Sequence, residues 1–113
     1  MEGRKIEKME QPSLVNIRRI ARNDKLFEEK LIQVAKRELP VEISVFEQNI
    51  MEQEYRKAAD YVHKIKHKIM LLDLESDFNL AEEFERGLLF GKTTLLVSFR
   101  EVLTKMTVFL KNV

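Results

Sequence analysis

The chain has 113 residues, of which 44% are hydrophobic and 35% charged, with a formal charge of +1 and no cysteine. That length is about one ordinary domain with one core, and the near-zero charge argues against a nucleic-acid or membrane binder that works through its whole surface. The missing cysteines exclude disulfides, thiol catalysis and thiolate zinc sites, and three Gly and two Pro suit a helical protein with short connections.

Residues 1–12 are charged and without period, which predicts a disordered N-terminal tail before a domain over 13–113. Met1 to Lys5 lack the apolar run of a secretory signal, and no stretch approaches the ~20 apolar residues that span a bilayer. Cytoplasmic residence is therefore the expectation. Ser13 can cap a short helix carrying Leu14, Ile17, Ile20 and Ala21, and Asn23 with Asp24 ends it. Asp24 can cap the next helix, whose Phe27, Leu31, Val34 and Ala35 predict an inward stripe. Pro40 forces a kink or restart, and Ile43, Phe46 and Ile50 continue the stripe through a bent helix to about Met51.

From about Glu54 to Leu74 runs the helix that holds both histidines, its apolar residues Ala58, Val62, Ile65, Ile69 and Leu72 recurring at helical steps. Ser76 or Asp77 can cap a further helix bearing Phe78, Ala81, Phe84 and Leu88, which stops near Gly87 to Gly91. Thr93 or Thr94 opens the last helix, with Leu95, Leu96, Phe99, Val102, Leu103, Met106, Phe109 and Leu110 as its stripe. No strand signal competes, so the expected fold is all-α: an antiparallel up-down four-helix bundle with a short extra N-terminal helix. Phe27, Leu31, Val34, Phe46, Val62, Ile65, Ile69, Leu72, Phe84, Leu96, Phe99, Leu103 and Met106 make its core.

His63 and His67 lie one turn apart at the border of the apolar stripe, with Lys64, Lys66 and Lys68 around them. A neutral imidazole offers a lone pair for nucleophilic attack, proton transfer or metal binding. Lys66, one turn beyond His63, can set an ammonium against the oxygens of a phosphoryl group there, serving the transferred group rather than the fold. The bland reading is a solvated helix face, which is what most surface histidines and lysine runs are. Two histidines four residues apart can share a metal, but a catalytic zinc needs a third protein ligand and the ammonium groups oppose a dication, so no metal site is expected. Gly91-Lys92-Thr93-Thr94 has the tail of a phosphate-binding loop without its first glycine or leading strand, so no ATP site and no kinase activity are expected.

The run Ala58-Ala59-Asp60-Tyr61-Val62-His63-Lys64-Ile65-Lys66 resembles the signature of the histidine-containing phosphotransfer (HPt) domain family: a histidine on a helix, small or apolar residues before it and lysine three residues after it. The entry Leu14 to Asp24 followed by Phe27, the mid-helix Pro40, the Leu71 to Leu74 exit and the Leu80 to Glu85 helix fall where that family has equivalent features. The resemblance implies a phosphorelay carrier with His63 as phosphoryl acceptor and Lys66 as phosphate-side cation. Its partners would be receiver domains of response regulators or hybrid histidine kinases, which supply the Mg²⁺; the protein itself would need no cofactor and act as a monomer. A surface of Ala59, Lys64, His67, Lys68 and Glu85 would meet the partner, and Arg56 and Lys57 would join the lysines in steering it to an acidic receiver pocket. Glu85 stands where the family often has a glutamine bonded to the histidine; a carboxylate there orients the ring but repels a phosphoryl group. His67 replaces a small residue, which predicts that it selects partners and does no chemistry, and Asp73 replaces the small residue that usually closes the helix. The rival reading is a non-catalytic helical adaptor of the same fold that docks a partner protein.

Overall fold

Asp24 starts the longest helix as its sequence position suggests: the carboxylate accepts a hydrogen bond from Phe27 N at 3.1 Å. This computed structural model describes residues 10–113, so the part of the expected disordered tail within 1–9 lies outside the described residues. The described chain forms α1 (Val15–Ala21), α2 (Lys25–Met51), α3 (Tyr55–Leu71), α4 (Glu75–Leu88) and α5 (Leu96–Lys111), with no strand among the described residues. α2 runs through Pro40 without a break, and the proline ring sits on its exposed side. None of the helices is long and apolar enough to cross a membrane.

Packing follows the stripes. α3 lies against α2 and α4, α5 against α2 and α4, and α1 against α2. Phe46 of α2, Phe84 of α4 and Phe99 of α5 meet in the middle, with ring centroids 6.0 Å apart for Phe46–Phe84, 5.3 Å for Phe46–Phe99 and 5.0 Å for Phe84–Phe99. α3 adds Ala58, Val62, Ile65 and Ile69, all fully buried. Outside this core, Arg100 clamps α5 to α2 with two hydrogen bonds to the Glu47 carboxylate, at 2.9 and 2.6 Å.

Of the expected core, Leu31 and Leu96 are only partly buried at its edge, and two residues lie outside it. Phe27 is 43% and Val34 36% exposed. The buried residues of α2 are Ala35, Leu39, Phe46 and Asn49, steps of four, seven and three along one face; Phe27 and Val34 sit beside that face. Ile20 of α1 is likewise exposed, while Ile17 and Ala21 are buried.

Two other helix starts depart from the sequence expectation in the same way: at α1 and α4 a carboxylate from a distant residue accepts from the first turn. α1 begins after Leu14, whose side chain makes no cap, while Ser13 Oγ accepts from Val15 N at 3.3 Å, a long bond. Its Asn16 N–H donates to the Asp73 carboxylate at 3.0 Å, and Ser13, the expected cap, donates its hydroxyl to the same oxygen at 2.6 Å. Asp73 itself is left-handed (φ 66°), the conformation that ends a helix, with Leu74 N–H donating back to Ile69 O at 3.2 Å. Asp73 thus closes α3 and caps α1 together. α4 has no cap from Ser76 or Asp77; their N–H groups donate to the Glu10 carboxylate, Ser76 N at 3.0 Å and Asp77 N at 3.4 Å. Lys105 of α5 completes this corner, 2.7 Å from the Asp77 carboxylate and 2.9 Å from Glu10 O. Glu10 is therefore anchored, although it falls inside the expected tail. Neither Thr93 nor Thr94 caps α5, which starts one turn after Thr93 with Leu96 N–H donating to Thr93 O at 3.0 Å.

Candidate functional site

On α3 the even-numbered lysines advance by two residues, about 200° of rotation in an α-helix, so consecutive ones cannot share a side. The structure sends them to three places. Lys64 is exposed, with Nζ 4.5 Å from the Tyr61 ring centroid. Lys66 turns to α4: its Nζ donates to Glu85 Oε1 at 2.9 Å and to Glu82 Oε2 at 3.5 Å, and lies 5.5 Å from the Phe78 ring centroid. Lys68 turns to α2, where Glu38 and Glu42 accept at 2.7 and 2.8 Å.

Two expectations for these lysines need correcting. Lys66 is only 8% exposed, so its charge is committed to the α3–α4 seam and is not a free surface cation. Lys68 belongs to the α2–α3 seam and not to the surface around His63. Burial opposes its charge, but the hydrogen bonds it donates to both carboxylates, with their charges, outweigh that and hold Lys68 above the usual lysine range. The same bond, with the Lys68 charge behind it, keeps the Glu38 carboxyl below its ordinary value. The cations left exposed near the histidines are Arg56, Lys57 and Lys64. Ala59 also leaves the proposed surface: it is 2% exposed and packed with the core, where a small side chain suits a helix seam.

His63 remains accessible, its side chain 55% exposed. Its Nδ1 lies 3.2 Å from Glu85 Oε2, so one carboxylate bridges the imidazole and the Lys66 ammonium. An ionised carboxylate can only accept, so this bond requires the proton on Nδ1 and leaves the lone pair on Nε2. Lys66 offsets the negative charge that would otherwise stand alone beneath the ring. His67, also exposed, sets its ring at 83° to that of His63 with centroids 5.2 Å apart. Among the described residues no group of three or more His, Cys, Asp or Glu is placed to hold a metal ion.

The sequence does not mark Glu82 and marks Phe78 only as part of an apolar stripe, though both lie on the α4 side that carries Glu85, at steps of three and seven residues. Their signal was the helical spacing back from Glu85. The bridging makes Lys66 a structural residue as well. Lys66→Ala should lower the thermal stability by about 1–3 kcal/mol, because it takes the ammonium from Glu82 and leaves Glu85 with His63 alone at a partly buried seam. An unchanged melting midpoint would show that the pair adds nothing to the fold.

Comparison with protein-family models, with curated proteins and with solved structures returned no match.

Proposed function

We propose that the chain is a phosphorelay carrier of the HPt type, taking a phosphoryl group from the aspartyl-phosphate of one receiver domain onto His63 and passing it to another. The observation that carries this reading is the hydrogen bond from Nδ1 of an exposed histidine to Glu85, which selects the tautomer with a nucleophilic Nε2. The step balances simply. The Nε2 lone pair forms the N–P bond, the P–O bond of the acyl phosphate breaks, and the receiver's carboxylate leaves with that electron pair. The ring, still protonated at Nδ1, gains positive charge as the N–P bond forms, and the Glu85 carboxylate stands against it. Glu85 thus has a use that outweighs its repulsion of the phosphoryl group, since Lys66 already offsets its charge.

In this reading the receiver supplies Mg²⁺, and the carrier, a cytoplasmic monomer, supplies a positioned nucleophile without ATP or a cofactor of its own. The architecture it calls for is the antiparallel up-down four-helix bundle of α2–α5 with α1 as an appendage. The pairing of α2 with α3, α3 with α4, α4 with α5 and α5 with α2 supports that arrangement. Exposed Arg56, Lys57 and Lys64 favour an acidic partner, an attraction that salt weakens. Incubation with a phosphorylated receiver domain tests the reading: label that is acid-labile and alkali-stable should appear on this chain. Persistent absence of label with several receivers would leave the non-catalytic adaptor.

A further inference from the structure

The cation that the sequence assigns to the phosphoryl group is already engaged. Lys66 is almost wholly buried and its Nζ donates to both Glu85 and Glu82, so drawing it out to His63 would take from Glu82 the ammonium it accepts from and leave Glu85 with His63 alone. Lys64 follows His63 by one residue, about 100° round the helix, and its ammonium rests over Tyr61. Asp60, one turn before His63, carries the wrong charge. One turn after it stands His67, exposed and edge-to-face with the His63 ring at a centroid separation of 5.2 Å.

Resting on the phosphocarrier reading, we infer that His67 is the residue that contacts the phosphoryl group on His63, donating a ring N–H to one of its oxygens. The two ring centroids are 5.2 Å apart, and a phosphoryl group on Nε2 carries its oxygens beyond the rim of the His63 ring by one N–P and one P–O bond. A rotation of the exposed His67 side chain then brings an N–H within the ~3 Å of a hydrogen bond. Either tautomer of a neutral imidazole keeps one N–H, so the contact needs no change of charge. The consequence is a longer-lived phosphohistidine. Loss of a phosphoryl group passes through a loose, metaphosphate-like state in which the oxygens push electrons towards phosphorus. A donor that holds those electrons stabilises the bound group against water. His67 is then part of the chemistry and not only a bulky selector of partners.

The test uses the full chain, phosphorylated by a receiver domain, separated from it, and followed by its loss of label. His67→Phe keeps an aromatic ring beside His63 and removes the donor; His67→Gly removes both. The phosphoryl half-life of His67→Phe should fall by about three- to tenfold, the effect of losing one hydrogen bond to a charged group at an exposed site. His67→Gly should fall at least as far, and the thermal midpoints of both should stay near that of the wild type. In the wild type, the His67 ring nitrogens should shift in a long-range ¹H–¹⁵N spectrum when His63 is phosphorylated. A His67→Phe half-life equal to that of the wild type, or His67 nitrogens that do not move, overturns the contact while leaving the carrier reading in place. A wild-type chain that never takes label on His63 overturns both.

Discussion

His63→Gln is expected to lose phosphoryl acceptance completely while keeping the fold. Glutamine can still bond to Glu85 through its amide NH₂, but its nitrogen has no available lone pair, so no N–P bond can form. The side chain is more than half exposed and outside the hydrophobic core, so little packing is lost. Incubation with a phosphorylated receiver, with circular dichroism as the control for folding, checks both halves. His67→Gly in the same assay should still take label, because the acceptor and its Glu85 partner are intact. Label on His63→Gln that vanishes from His67→Gly would reverse the two roles, and label on both would refute a histidine carrier.

Phe46→Ala should have the largest effect on stability. The ring is fully buried and touches both Phe84 and Phe99, so it holds α2 to α4 and α5 at once. Truncation removes its transfer energy, two edge-on aromatic contacts and the filling of the centre, a loss of about 3–5 kcal/mol. Urea denaturation measures it. A loss below about 1 kcal/mol would mean that the aromatic trio does not carry the core.

The helices were legible because apolar spacing is a local signal. Ala58, Val62, Ile65 and Ile69 mark α3 without reference to any other segment, and Phe99, Val102, Leu103 and Met106 do the same for α5. Their starts were harder. Ser76 and Thr94 have the right chemistry for caps and do not serve as such, and Ser13 accepts only from Val15 N at 3.3 Å; the shorter bonds at α1 and α4 go to Asp73 and Glu10, groups 57 and 66 residues away from the N–H groups they accept from. Nothing in a local reading contains those pairs. The exposure of Phe27 and Val34 has a similar origin, since which face of α2 is covered depends on where its neighbours lie.

At the candidate site, His63 was legible by its place beside an apolar stripe, and Glu85 entered only through the resemblance to HPt domains. The fate of the lysines was not. Spacing set Lys66 apart only by its distance from His63; the three lysines part because α4 presents Glu82 and Glu85 on one side of α3 while α2 presents Glu38 and Glu42 on another. A lysine run reads as a solvated face only until the carboxylates of its neighbours are placed.

The most direct measurement of the central claim is the site and bonding of phosphorus in the wild-type chain after transfer from a receiver domain, read by ³¹P–¹⁵N coupling with ring-labelled histidine. With Nδ1 held by Glu85, the account predicts phosphorus on Nε2 of His63 alone. Phosphorus on Nδ1 of His63, on His67, or on no histidine would contradict it.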